Sequence, residues 1–416
     1  MKNERDLTGS AKETIEASRR VNGEMKSALE IGFDDLIAPL TTEEFLSAYW
    51  EKKPLVSSGK PPEFFTPLFS TRDVDRAISF FRPRPGRIDL VTEQGFVRDN
   101  YSSPDGTANI NLVMESYLKG STVVLSGLEQ TWEPLAIFAG KLEGSLNHPV
   151  AMAVYLSPPR FQGVTPHYDT QENFLIQVEG SKQWKVYEPV YDLPPVEGSY
   201  ATVPRDKLSP PICEAVLKPG DVLYIPRGFV HEGIAGDKPS LHITVDIHVR
   251  TWHDFLSDAL AAQAERNPRY RRALPAGFLN DERIMQSLAA EFEEFMDTFR
   301  RDARTKDAVW KHTEALAVRK PPPADGHFSM LNLEIGPETA FKKRRTSLVR
   351  VFEEDGMAGI QFSGNHLFGP SKISNALKFI ADADTITPAS LPGPLNESEK
   401  LVLIRRLVRA GLLTLA

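Results

Sequence analysis

His167 and Asp169 stand two residues apart in the run from Val164 to Tyr187. In an extended strand alternate side chains share a face, so an imidazole nitrogen and a carboxylate oxygen are set together while Tyr168 points away. With one more histidine, such a pair makes the two-histidine, one-carboxylate triad that holds Fe(II) on three positions and leaves the others open. The third ligand must come from a distant strand. His231 follows a Pro219-Gly220 turn, an apolar strand and a second turn at Pro226-Arg227-Gly228. That is where a jelly roll returns to the mouth holding the first pair. Lys182 lies just past Glu179-Gly180-Ser181, among apolar and aromatic neighbours where an unpartnered ammonium is costly to bury. A bound carboxylate would satisfy it. Taken singly, these residues also fit plainer roles, a surface or core histidine and a lysine that snorkels to water. No other His-x-Asp occurs in the chain.

The surrounding sequence reads as the scaffold for that mouth. Phe174, Ile176 and Val178, then the Gly180 turn, then Trp184 and Val186 read as a hairpin. Val150 to Leu156 reads as a strand, as does Val222 to Ile225 behind a type II turn. Leu241 to Val249 is expected to close the sheet, with His242, Thr244 and Asp246 on one face and Ile243, Val245 and Ile247 on the other. Short β-branched and aromatic runs divided by proline and glycine imply a mainly β sandwich or jelly roll. Residues 1–30 are polar and weakly periodic and read as a flexible tail. Thr42 is placed as the N-cap of a helix whose apolar stripe is Phe45, Leu46, Tyr49 and Trp50. A further helix is expected between Gly106 and Ser126, followed by a strand from Thr122 to Leu125. These elements are expected to wrap the sheet.

Beyond Thr251 the pattern turns helical. Trp252, Phe255, Leu256 and Leu260 open one amphipathic helix, and Ile284, Leu288, Phe292, Phe295 and Phe299 mark a longer one. Residues 251–318 are read as a helical dimerisation region and Arg319 to Asp325 as a linker. Residues 319–416 mix strands (Leu348 to Phe352, Gly359 to Phe362) with helices from Lys372 and Glu397, an arrangement resembling a winged helix. Asn396 with Glu399 is a capping box, and Gly411 stops the last helix before a strand from Leu412 to Leu415. The basic run Lys342 to Arg345 reads as a solvated turn, and Cys213 as lying in a loop.

Composition narrows the function classes. The 416 residues are 41% hydrophobic and 25% charged, enough for two or three domains. A single cysteine excludes an internal disulfide and a cysteine-rich zinc site, so any metal must use histidine and carboxylate. A net charge of −7 argues against a nucleic-acid coat protein and suits a basic protein partner. The first residues lack the apolar segment of a secretory signal and no window is long enough for a membrane span, so a cytoplasmic protein without membrane or direct nucleic-acid contacts is expected. No nucleophile elbow or phosphate-binding glycine loop is present.

Four segments carry a resemblance: TPHYD (165–169), FLIQVEGSKQWKVYEP (174–189), LKPGDVLYIPRGFVH (217–231) and the early FLSAYWEKKPLV (45–56). They resemble the JmjC-type cupin oxygenases, in particular the ribosomal-oxygenase group that hydroxylates residues of ribosomal proteins. The similarity covers roughly residues 31–250, a cupin (double-stranded β-helix) catalytic domain, and more weakly the remainder. The resemblance implies that His167, Asp169 and His231 bind Fe(II) and that Lys182 takes the distal carboxylate of 2-oxoglutarate; the homodimer is expected from the phenylalanine stripe of the helical region instead, with packing inside the chain as its alternative. Tyr155 and Thr244 are further candidates for the cosubstrate pocket. One position departs: the group commonly has asparagine two residues before the tyrosine matched by Tyr155, where this chain has Ala153. That leaves the substrate open between a ribosomal protein and a biosynthetic peptide or free amino acid. A binding module that keeps a vestigial cupin site is the rival of another class.

Overall fold

A computed structural model of the chain describes residues 26–97, 101–195, 200–318, 326–344 and 348–416. The linker read at 319–325 and most of the N-terminal tail lie outside the described residues. The chain divides into two compact units, residues 1–249 and 250–416.

Among its described residues the first unit carries thirteen strands: β1 (Leu55–Ser57), β2 (Ile88–Thr92), β3 (Gly95–Phe96), β4 (Thr122–Ser126), β5 (Val150–Ser157), β6 (His167–Asp169), β7 (Glu172–Glu179), β8 (Lys182–Pro189), β9 (Tyr200–Thr202), β10 (Cys213–Leu217), β11 (Val222–Ile225), β12 (Phe229–Ala235) and β13 (Ser240–Ile247). They form two antiparallel sheets. The major sheet has the order β1-β11-β7-β13-β5-β4-β2-β3, and the minor sheet β10-β8-β12-β6-β9. The result is a cupin-type jelly roll, as the run of short strands implies.

Alternation decides what each face of the major sheet does. Phe174, Ile176 and Val178 of β7 and Ile243, Val245 and Ile247 of β13 join Phe33, Phe45, Phe65 and Phe138 in one buried cluster. The helices Phe33–Ile37, Thr42–Ala48 and Glu133–Leu146 therefore cover this face. Leu175, Leu223 and Ile225 face the other way and meet Trp184, Val186 and Leu217 of the minor sheet. This inner space holds the candidate site.

Several local expectations are corrected. The runs 172–179 and 182–189 do not form a hairpin: β7 pairs with β11 and β13, whereas β8 pairs with β10 and β12. The Gly180 turn instead passes the chain from one sheet to the other. Its φ of +65° lies in the left-handed region, and a Cβ there would stand 2.0 Å from the Pro239 carbonyl oxygen, so only glycine fits. β13 does not close the sheet but lies inside it, between β7 and β5. The N-cap is Thr41 rather than Thr42, its hydroxyl accepting from the Glu44 amide at 3.2 Å. Leu46 leaves the apolar stripe and is exposed. Cys213 opens strand β10.

In the second unit Thr251 caps the helix Trp252–Arg266, and a 21-residue helix spans Glu282–Asp302. A two-stranded pair, β14 (Phe341–Lys343) with β18 (Leu413–Leu415), and a three-stranded antiparallel sheet, β15 (Arg350–Glu354), β16 (Met357–Phe362) and β17 (Asn365–Pro370), follow. Ile360, Phe362, Leu377, Ile380, Ile404 and Leu407 form their core with the helices Ser374–Asp382 and Glu397–Arg409. The capping box at Asn396 and Glu399 is present. Within the basic run Lys342 and Lys343 lie on strand β14 rather than in a solvated turn, and Arg345 lies outside the described residues. Lys343 donates to the carbonyls of Ile380, Ala381 and Ala383 at the end of a helix, and Arg344 is buried, the favourable place for a cation.

Candidate metal centre

His167 and Asp169 project from one face of β6 into the space between the sheets, and Tyr168 turns away to pack with Tyr187, Val203 and Val230. β12 supplies the third group, because His231 is paired directly across from His167. His231 Nε2 lies 3.5 Å from one Asp169 carboxylate oxygen and His167 Nε2 lies 4.0 Å from the other. One ligand atom from each residue falls within 4.8 Å of the others. Neighbouring groups hold each donor in a usable state. His167 Nδ1 is 2.9 Å from the Thr165 carbonyl and His231 Nδ1 is 3.2 Å from that of Phe229. A carbonyl can only accept, so the proton belongs on Nδ1 and Nε2 is the nitrogen that carries the lone pair. Burial, then the neighbouring His167, press His231 down to about 4, which keeps it neutral. The Asn173 side-chain amide donates to Asp169 and fixes the carboxylate. Two nitrogens and one oxygen, all presented from rigid strands, suit a divalent ion with positions left open.

The strands that present these ligands are anchored on both flanks. The Arg227 guanidinium, in the turn before β12, donates to Glu51 at 2.7 and 3.0 Å and to the Pro194 carbonyl. This ties the end of the early Phe45 helix to the ligand strand. On the other side buried Glu232 accepts from Tyr187 at 2.7 Å, from Gln162 at 3.0 Å and from both Arg205 nitrogens. Gln162 belongs to the loop that leads into His167, so one carboxylate holds the approaches to two ligands.

The triad opens into a cavity of about 330 Å³. Lys182 lines it and is only 3% exposed. It does not snorkel. Its ammonium lies 4.7 Å over the Trp184 ring, and it has no hydrogen bond or ion pair to any described residue. Burial alone pulls it down to about 7. Gly233 makes room for it, because a Cβ there would stand 2.9 Å from Lys182 Cε and 2.8 Å from the Trp184 ring. Tyr155 and Thr244 also line the cavity, Tyr155 stacked on His242 at 4.8 Å. All six residues singled out in the sequence thus share one cavity. A buried cation without a partner beside a neutral two-histidine, one-carboxylate set fits a metal ion together with a small carboxylate ligand.

Some contributors were not legible. Asn173 is a polar residue among apolar ones four positions after Asp169, a signal that marks burial but not its partner. Asp89, Gly95 and Phe96 reach the cavity from β2 and β3, two short strands with no pattern of their own.

Comparison with known proteins agrees with this geometry. Residues 130–255 match the JmjC domain family, a span holding all six site residues. Ribosomal oxygenase 1 of Gallus gallus is 34% identical over 266 residues, covering 62% of this chain and 44% of that protein. The chain thus spans less than half the length of that relative. The fold is that of Escherichia coli ycfD, with a TM-score of 0.54 at 18% identity, covering 91% of this chain and 98% of the other. A structure of the same ribosomal oxygenase in complex with cobalt and 2-oxoglutarate superposes with a TM-score of 0.50 at 18% identity, covering 90% of this chain and 98% of the other. The site residues thus all fall within a stretch that matches the JmjC domain, and the chain is similar to the ribosomal oxygenases over 62% of its length.

Proposed function

We propose that the protein is an Fe(II)- and 2-oxoglutarate-dependent oxygenase that hydroxylates an amino-acid side chain of a protein, with a ribosomal protein as the preferred substrate. One observation carries this reading: the three ligand atoms and the unpaired, buried Lys182 ammonium face a single cavity. His167, Asp169 and His231 would hold the metal, and Lys182 would hold the distal carboxylate of 2-oxoglutarate by a charge-assisted bond. The complex of the E. coli relative with cobalt and 2-oxoglutarate supports that choice of cosubstrate. When bound, iron and 2-oxoglutarate supply the oxidation, in which decarboxylation to succinate accompanies transfer of one oxygen atom of O2 into an unactivated C–H bond. The chain itself contributes position and dryness. Asn173 holds the Asp169 carboxylate, the Thr165 and Phe229 carbonyls set the imidazoles, and Trp184 with Tyr155 walls off water.

A cytoplasmic site of action and a homodimer belong to the same proposal. Trp252, Leu256 and Leu260 recur at four-residue spacing and are 79%, 52% and 47% exposed, a face suited to a second copy. Among the described residues no helix is long and apolar enough to cross a membrane.

The test is an anaerobic titration of the apoprotein with Fe(II) and then 2-oxoglutarate, watching for the visible charge-transfer band of keto-acid chelation. The band is expected in the wild type, weakened in Lys182→Ala and absent in His167→Ala. Iron binding without a band would defeat the 2-oxoglutarate assignment.

A further inference from the structure

Three buried nitrogens that line the cavity have no hydrogen-bond partner among the described residues. One is the Lys182 amine, on a side chain only 3% exposed. The others are Trp184 Nε1 and His242 Nδ1. They stand together: the amine lies 4.7 Å over the Trp184 ring, and that ring meets His242 edge-on at 5.5 Å. His231 is 6.1 Å from the same indole, so the group adjoins the triad. Gly233 leaves room for the Lys182 stem to lie along β12. An ammonium stripped of water with no carboxylate beside it gives up its proton readily, and burial draws this one from the ordinary 10.5 down to about 7. Near neutral pH much of it is free amine, whereas exposed lysines are almost wholly ammonium. A desolvated free amine in an enclosed space is a nucleophile, and lysine is the residue that takes this role most readily. The electrophile that suits it is small and uncharged, so that it enters a cavity of about 330 Å³ without shedding a hydration shell. Carbon dioxide meets both conditions. Its adduct with an amine is an anion with two oxygens, which calls for the N–H donors that stand idle here. The indole supplies one. His242, kept neutral by burial and then by Lys182, carries a single ring proton that Nδ1 can offer.

We propose that Lys182, when no carboxylate ligand is bound, takes up carbon dioxide as a carbamate held by the ring nitrogens of Trp184 and His242. The amine lone pair forms an N–C bond to the carbon of CO2, one C=O electron pair moves onto oxygen, and the nitrogen releases one proton to water. No electrons are gained or lost overall, and the step reverses when CO2 leaves. The carbamate turns the cationic contact for a carboxylate into an anion, so carbon dioxide and 2-oxoglutarate exclude each other at this residue. Because the proposed oxidation releases CO2, the adduct would restrain the enzyme through its own product. That exclusion rests on the oxygenase reading above, whereas carbamate formation does not.

Carbon NMR of the full-length apoprotein, equilibrated with carbon-13 bicarbonate near neutral pH, tests it. A carbamate resonance distinct from bicarbonate and dissolved CO2 is expected in the wild type and is expected to vanish in Lys182→Met and in Lys182→Arg, whose guanidinium stays charged and forms no carbamate. Trp184→Phe keeps an aromatic ring and removes the N–H, and it is expected to lower the occupancy at least fivefold while circular dichroism shows the fold retained. Zinc with excess 2-oxoglutarate is expected to reduce the wild-type signal at least tenfold. A spectrum that Lys182→Met leaves unchanged, from a wild type that gives the charge-transfer band with Fe(II) and 2-oxoglutarate, overturns the carbamate and leaves the oxygenase reading standing. Full occupancy in folded Trp184→Phe overturns the part given to the indole. A Lys182 carbamate that excess 2-oxoglutarate does not displace, in a protein without the band, defeats the oxygenase reading and the exclusion but not the adduct.

Discussion

Lys182 sets function against stability within one side chain. Its folded value of about 7 lies below the ordinary 10.5 of an exposed lysine, so between those pH values the unfolded chain holds a proton that the empty folded site gives up. The resulting penalty is fully present below about pH 7 and fades as pH rises toward 10.5. Lys182→Met is therefore expected to stabilise the apoprotein by on the order of 4 kcal/mol at pH 7 and by only about 1 kcal/mol at pH 10, as read by urea denaturation at both pH values. The same substitution should weaken 2-oxoglutarate binding. In the wild type the cosubstrate must recharge the lysine above pH 7, so its affinity should fall by up to tenfold per pH unit there. Calorimetry in buffers of different ionisation enthalpy should report one proton taken up. The triad was legible because a spacing of two is the period of a strand itself. Asn173 was not, because a polar residue on an inward face does not announce whom it serves until the opposite wall is in place.

At the level of elements, two glycines carry the geometry. Gly233 lets the Lys182 stem and the Trp184 ring lie against β12. Gly233→Ala should weaken 2-oxoglutarate binding tenfold or more while metal binding persists, measured by titrating each in turn. Gly180 makes the corner between the sheets, and Gly180→Ala combines a left-handed backbone with a clash against Pro239. A loss of at least about 2 kcal/mol in denaturant unfolding is expected. The strands around them could be read from alternation and turn chemistry, but their partners could not. Two apolar runs flanking a glycine turn look the same whether they pair with each other or part to opposite sheets, because the choice is made by β11, β13, β10 and β12, far along the chain. For the same reason the central place of β13 was hidden, while its two-faced composition was plain.

For the molecule as a whole, the texture changes from strand to helix near Val249, the last residue of the first compact unit. The helices that follow were legible from their spacing, but the covering of their apolar residues was not, since a stripe reads alike whether it meets its own chain or another. Trp252→Glu together with Leu256→Glu should convert a dimer to a monomer in sedimentation velocity while leaving the charge-transfer band intact. Sedimentation of the unaltered protein as a monomer would remove the dimer from the proposal. The basic run near Lys343 was misread because its role is set by a helix end some forty residues later.

The single residue pair that joins β6 to β12 has a mechanical meaning. β6 has only three residues and touches that neighbour at His167 opposite His231 and nowhere else in the ladder. An ion gripped by both rings is then a rivet between two strands separated by the long connection after β8. Any ion that accepts these donors, including zinc or manganese with no part in oxidation, should raise the melting temperature in proportion to the logarithm of its concentration and slow proteolytic cutting of residues 203–212. Loss of the ion would then loosen the wall of the cavity before it unfolds the domain, so that metal-starved protein becomes visible to proteases while its outer helical layer still stands.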